Sequence, residues 1–361
     1  SMKLFTVQTR IIAILLAGAC AEETSSPEPE PFVTTGADAV GPGVGGANST
    51  LSSSGTSQGG GGNSSGSGGT STGPYPIVLA HGFFGFEDFA GVDFATYFFE
   101  VKAALASAGE TQVFTPAVDP FNSSTVRGAQ LLSRVEQVLA ETGQSKVIIV
   151  AHSQGGLDAR FVAHERPELV AAVVTVATPH QGSPVADIAL GIVENPNAAG
   201  LVDDLVNAIG APLYEQINGE TSVSDALYQF STPGIQAFNE SYPDSPSVFY
   251  ASVAGRTDDH LGGQACAAEV AVPLLESWKL ERDPTDPLLW LSESLLDAND
   301  EPNDGLVRVR DAKRGEFWGC VPADHLDEIG QIFGDGPGFG NDFDHKALYL
   351  AIVAELRSRG Y

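Results

Sequence analysis

The stretch VIIVAHSQGGLDAR, Val147 to Arg160, sets a serine directly after a run of apolar residues and directly before a glycine pair. VIIVA reads as a buried strand, His152-Ser153-Gln154 as a turn, and the sequence from about Gly155 to Glu165 as a helix. A serine in a sharp strand-turn-helix is lifted out of the sheet with its hydroxyl exposed. The turn is strained, so the residues two before and two after it must be small. Ala151 and Gly155 meet that need, although Ala151 stands where glycine is usual. The spacing therefore marks Ser153 as a candidate nucleophile rather than a helix cap.

The segments on either side repeat the pattern. PIVLA (76–80), QVFTPAV (112–118), AAVVTVA (171–177) and SVFYASVAG (247–255) read as further strands. Phe94–Gly109 and Arg127–Gly143 read as helices, the second with Leu131, Leu132, Val135 and Val138 at helical spacing and Gly143 as its stop. Strands that are continuous apolar runs, alternating with helices, predict an α/β fold with a mostly parallel sheet covered on both faces.

A serine hydroxyl is a weak nucleophile until a base takes its proton and a carboxylate orients that base. In sheets of this kind the acid follows the serine and the histidine follows the acid. Asp304, in EPNDGLVRV, occupies a turn expected to lead into a short apolar strand. His325, in PADHLDEIGQIFG, follows about twenty residues later, room for a strand and a loop; His260 and His345 remain alternatives. His164 lies on the helix after the serine and faces away, and His180 in TPHQGS suits structural hydrogen bonds. The oxyanion formed on attack needs amide donors. One is the N–H of Gln154, the residue after the serine. The other is the N–H of Phe83 in AHGFFGF, where Gly82 and Gly85 allow close backbone approach and Phe83, Phe84 and Phe86 can line an acyl cleft.

The 361 residues carry 18 basic and 46 acidic side chains, a formal charge of −28. Such a chain repels phosphate backbones, which excludes nucleic acid as a partner. Ser1 before Met2 reads as a cloning remnant. Lys3 and Arg10 then precede IIAILLAGA, a charged start, short apolar run and small residues that read as a secretory signal over 1–20. AGAC fits either an A-x-A cleavage site or a lipobox ending in Cys20, with Ala17 where leucine is usual. Three cysteines are an odd number for an exported chain; a lipid on Cys20 leaves Cys266 and Cys320 able to pair in an oxidising compartment. Residues 21–73 are Pro-, Gly- and Ser-rich. They lack the apolar area to offset chain entropy and read as a flexible linker. The globular domain is expected over 74–361, with localisation outside the cell or at the outer cell surface or periplasmic face of a membrane.

With AHGFFGF, AHSQGG, TPHQGS, NDGLV and HLDEIGQIFG in this order, the chain from about Tyr75 onward resembles the bacterial true lipases of the Pseudomonas and Burkholderia type, in the α/β-hydrolase superfamily. The resemblance implies an α/β-hydrolase fold with a helical lid at about 185–218, and triacylglycerol hydrolysis by Ser153, Asp304 and His325 with Phe83 and Gln154 as oxyanion donors. It implies a structural Ca2+ held by Asp327, the Gln331 carbonyl, Asp283 (or its rival Asp286), and a carbonyl at Asp335. It also implies a disulfide of the Cys266–Cys320 kind, a folding chaperone as a candidate partner, and an oil–water interface as the place of work. A carboxylesterase or polyester hydrolase with the same triad is the alternative, and a binding protein on an inactive hydrolase scaffold a third reading.

Overall fold

The computed structural model describes residues 74–83, 97–192, 223–257, 261–287, 289–296, 301–331, 334, 336–338 and 340–361. The chain divides into two units, Ser1–Gly66 and Ser67–Tyr361, and every described residue lies in the second. Cys20, the signal and linker segments, Phe84, Phe86, His260, Asp335 and the lid segment from 193 to 218 lie outside the described residues.

Six strands form one sheet: β1 (Ile77–Ala80), β2 (Val113–Phe114), β3 (Val147–His152), β4 (Val170–Val176), β5 (Phe249–Arg256) and β6 (Glu316–Pro322). Their spatial order is β2-β1-β3-β4-β5-β6, and every pairing is parallel. Parallel neighbours need crossovers, and the crossovers supply helices for both faces. The alternation along β3 shows how. Ile148 and Val150 point into one core with Val101 and Leu105 of α1 (Val101–Ser107) and with Leu348 and Ile352 of the C-terminal helix. Val147, Ile149 and Ala151 point into the other, with Leu131 and Val135 of α2 (Ser124–Thr142) and Ala159 and Val162 of α3 (Gly155–Glu165). Each fully buried Val, Ile or Leu contributes about 1.5–3 kcal/mol relative to exposure. The central strands are therefore the most firmly held part of the molecule, and the serine turn leaves from one of them.

Helix α2 ends at Gly143, whose φ of 67° is the left-handed conformation glycine adopts at a helix stop. Beyond β4 come α4 (Pro184–Ala189), α5 (Val223–Phe230) and α6 (Thr232–Ser241). After β5 follow α7 (Pro273–Ser277), α8 (Trp290–Leu296), α9 (Val309–Ala312) and, past β6, α10 (His345–Ser358). Val185 of α4 is buried against Leu296 of α8, so the start of the expected lid is docked on the body. Among the described residues no helix is long and apolar enough to cross a membrane.

One expectation changes. The strand expected after Asp304 is absent: residues 303–308 form a tight turn closed by a single Asn303–Arg308 bridge, and VRDA continues as α9. The strand that precedes His325 is instead β6, EFWGCVP, whose register against β5 shifts between Ser252 and Ala254. Gly319, with φ of 112°, interrupts its pattern. Cys320 of β6 is bonded to Cys266, with Cα atoms 5.2 Å apart and a sequence separation of 54. Closing a loop of that length removes about 4 kcal/mol of entropy from the unfolded chain.

Candidate active site

Ser153 sits between β3 and α3 with φ of 54°, one of three non-glycine residues in the left-handed region among those described. That conformation costs of order 1–3 kcal/mol and persists only where the surroundings over-determine it. Here its N–H donates to the Val176 carbonyl at 2.9 Å, and its own carbonyl accepts from Thr178 Oγ1 at 2.7 Å. The glycines on its C-terminal side are required by space. A Cβ on Gly155 would collide with the backbone oxygens of Ala80 and His81, and one on Gly156 with the side chain of Thr178.

His325 reaches Ser153 from the loop after β6. Its Nε2 lies 2.9 Å from Ser153 Oγ and its Nδ1 2.9 Å from Asp304 Oδ2. Asp304 is fixed by the turn that carries it. Its Oδ1 accepts the N–H groups of Leu306 at 2.9 Å and Val307 at 2.6 Å, which leaves Oδ2 aimed at the imidazole. The backbones are tied as well, since His325 N–H donates to the Asp304 carbonyl at 2.9 Å. A carboxylate only accepts, so Nδ1 carries the proton and Nε2 is left to accept from the serine hydroxyl. All three side chains are buried. This arrangement can deprotonate Ser153 and stabilise the imidazolium that results.

The other histidines are placed elsewhere. His345 is the first residue of α10, behind the capping Asp344, and its Nε2 lies 2.9 Å from the Phe99 carbonyl. His164 lies 3.0 Å from the Pro243 carbonyl, and buried His180 lies 3.0 Å from Thr175 Oγ1. Phe83 packs its ring edge-on against Phe121 and Phe230, with centroids 5.6 and 6.0 Å away. Gln154 is fully buried, its amide nitrogen donating to the Asn122 carbonyl at 2.7 Å.

Behind the triad lies a buried network that the sequence reading did not single out. His152 packs its ring, tilted by 47°, against His325 with centroids 4.6 Å apart, and bonds Tyr97 Oη and Glu328 Oε2, each at 2.8 Å. Burial first, then His325, holds the His152 pKa well below its ordinary value. Burial, reinforced by Asp304 and neighbouring acids, holds Glu328 well above its own. Both shifts favour uncharged partners, so the contact is a hydrogen bond between neutral groups rather than an ion pair. Only His152 had a signal in the sequence, since it abuts the serine; elsewhere buried Arg127 had one too, lying on the apolar stripe of α2 four residues before Leu131.

Of the residues expected to hold a cation, Asp283 and Asp327 come together and are joined by Asp324; one carboxylate oxygen from each lies within 4.8 Å of the others. Asp286 is only half-buried, and it is its backbone N–H that meets Asp324 Oδ2, at 2.9 Å. Both oxygens of Asp283 are buried without a hydrogen-bond partner. Burial, and next the charge of Asp324, pushes its pKa up to about 8. Three acids, one of them an unsatisfied carboxylate, form a hard-oxygen set that suits calcium.

Fold and site together define a serine ester hydrolase on an α/β-hydrolase scaffold. The family model described as alpha/beta hydrolase fold matches residues 75–203. A triacylglycerol lipase of Vibrio cholerae is 33% identical over 296 residues, 79% of this chain and 88% of its own. One of Burkholderia plantarii is 30% identical over 319 residues, 79% of this chain and 87% of its own. The crystal structure of Staphylococcus hyicus lipase aligns with a TM-score of 0.53 at 16% identity, covering 79% of this chain and 95% of that one, a likeness of fold. The chain belongs to the α/β-hydrolase family of bacterial triacylglycerol lipases.

The packing at Gly155 gives a direct check. Gly155→Val should destabilise the fold by about 1–3 kcal/mol or more through overpacking. It should also cut ester turnover about a hundredfold, the loss expected of an ångström-scale misplacement. Unchanged melting and turnover, measured by calorimetry and a p-nitrophenyl ester assay, would show that the elbow has room the structure does not give it.

Proposed function

We propose that this chain hydrolyses triacylglycerols with Ser153 as nucleophile, His325 as general base and acid, and Asp304 as the orienting carboxylate. The observation that carries the reading is the unbroken line from Ser153 Oγ through both ring nitrogens of His325 to Asp304, 2.9 Å at each step. Ser153 Oγ attacks the ester carbonyl carbon as its proton passes to Nε2. The carbonyl oxygen becomes an oxyanion held by the N–H groups of Phe83 and Gln154, donors of a kind worth about 2.7–4 kcal/mol each. Collapse expels the alcohol, which takes the proton back from Nε2. Water, deprotonated by the same nitrogen, then releases the fatty acid. The Phe83, Phe121 and Phe230 rings offer an apolar wall suited to an acyl chain, and the names of the relatives support a triacylglycerol as substrate.

Four further parts of the proposal rest on the sequence and the acidic cluster. Calcium is bound by Asp283 and Asp327, with the carbonyls at Gln331 and Asp335, and braces the loop that carries His325; the Asp324 carboxylate, which also accepts the N–H groups of Leu326 and Asp327, shapes that loop. The segment at 185–218 acts as a lid over the cleft at an oil–water interface. Residues 1–20 direct export and Cys20 receives a lipid, so that the linker over 21–73 tethers the hydrolase outside the cell or at a membrane face. A folding chaperone assists its maturation.

Ser153→Ala should leave the melting temperature within a few degrees and abolish turnover of both p-nitrophenyl esters and emulsified long-chain triglyceride. Retained turnover would overturn the assignment of Ser153. A wild-type enzyme confined to short soluble esters would make it an esterase instead.

The calcium proposal has its own pH signature. Without a cation, Asp283 binds a proton in the folded state up to about pH 8 that it loses in the unfolded state near pH 4, so stability falls as pH rises through that window. Calcium displaces that proton. A chelator should therefore lower the melting temperature at pH 8 by more than at pH 5, and Asp283→Ala should remove the difference. Identical melting with and without chelator at pH 8 would contradict the site.

A further inference from the structure

Arg127 is fully buried, and its guanidinium gathers three other segments of the chain. Its Nε donates to Asp158 Oδ2 at 2.8 Å, and its Nη1 to the Asp119 carbonyl at 2.6 Å. Its Nη2 donates to the carbonyls of His81 at 2.7 Å and Gly82 at 3.1 Å. Asp158 belongs to α3, the helix that starts just after Ser153, so one ion pair joins the nucleophile's helix to the loop after β1.

The Gly82 carbonyl has a second donor. His81 Nε2 accepts the Val118 N–H at 3.1 Å, which leaves the proton of the neutral ring on Nδ1, 2.8 Å from Gly82 O. Burial, then the charge of Arg127, lowers the His81 pKa to about 3, so this tautomer is not disturbed by protonation at working pH. Gly82 C=O and Phe83 N–H belong to the same trans peptide and point in opposite directions. Holding the carbonyl from behind therefore fixes where the amide proton points. That peptide lies against the nucleophile: a Cβ on Gly82 would sit 2.7 Å from Ser153 Cβ.

We infer that Arg127, anchored by Asp158, and the Nδ1-protonated ring of His81 are positioning residues that aim the Phe83 N–H at the oxyanion. This deepens the proposed function and rests on Ser153 being the nucleophile. A preorganised donor is worth more than one that must turn during the reaction. The interaction acts on the transition state, so its loss lowers kcat with KM little changed.

The experiment compares Arg127→Lys, His81→Phe and His81→Asn with wild type in the full-length protein. An ammonium cannot reproduce the planar fork. Phenylalanine keeps the ring and loses the donor, whereas the Asn side-chain amide can still offer an N–H near Nδ1. Active sites are counted by fluorophosphonate titration. kcat and KM are then measured on a soluble p-nitrophenyl ester, with inhibition by an alkyl boronic acid, whose serine adduct places an oxygen where the oxyanion forms. Arg127→Lys and His81→Phe should lose about tenfold to a hundredfold in kcat per titrated site and in boronic-acid affinity together. KM should stay within about twofold, and His81→Asn should recover most of both. If Arg127→Lys does not fold, the two His81 variants decide the question. Boronic-acid affinity unchanged in His81→Phe, or a loss confined to the number of titrated sites, would overturn the inference. Ser153→Ala run alongside separates the two failures: turnover that survives in it sinks the triad itself, whereas turnover lost there but intact in His81→Phe sinks only the positioning role.

Discussion

The structure depends on one backbone angle. Ser153 is held at φ of 54° by a strand buried on both faces before it and a helix buried from Gly155 to Ala163 after it. Neither neighbour can relax without opening a core, so the unfavourable conformation persists and the hydroxyl is presented at the carboxyl ends of the strands. Everything else in the site approaches that point. His325 comes from the loop after β6, the Gly82–Phe83 peptide from the loop after β1, and Asp304 from a turn whose amides consume the other carboxylate oxygen.

Burial also sets the charge state of the surroundings. The Arg127–Asp158 pair is enclosed with almost no exposure on either side chain, and burial outweighs the arginine in raising the Asp158 pKa to about 6. Such a pair is poor evidence of stability, since desolvation offsets much of its attraction, but removing one partner leaves the other charge stranded at a cost of about 3–5 kcal/mol. The Tyr97–His152–Glu328 line takes the opposite course. It stays neutral directly beneath His325, which places no permanent second cation beside an imidazole that becomes charged during the proposed reaction. The acids around Asp283 are different again: they crowd together with one carboxylate unsatisfied, which is the chemical reason for proposing a cation there.

The serine turn was legible in the sequence because three signals coincide there: a continuous apolar run, small residues on both sides of the serine, and a helix that follows at once. The stripe of Leu131, Val135 and Val138 gave α2 almost to its ends. Choosing among histidines was another matter. His325 and His345 both follow polar stretches rich in aspartate, and only the fold brings the first to Ser153 and sends the second to the Phe99 carbonyl. The turn after Asp304 resembles a strand in sequence because Leu306, Val307 and Val309 are apolar, yet Val307 and Val309 are buried, and Leu306 partly so, through a turn and α9. Strand β6 gave little signal because Gly319 breaks its run. Asp324, Asp158 and Glu328 carry no local pattern at all; their partners lie on other segments, and sequence spacing says nothing of that.

The most direct test of the central claim is to react the protein with a fluorophosphonate and locate the adduct by peptide mass spectrometry. The account predicts one phosphonyl group per chain on Ser153, with labelling slowed at least a hundredfold in His325→Phe, since the general base contributes about 10²–10⁴. An adduct on another serine, or labelling of Ser153 at the same rate without His325, would contradict it.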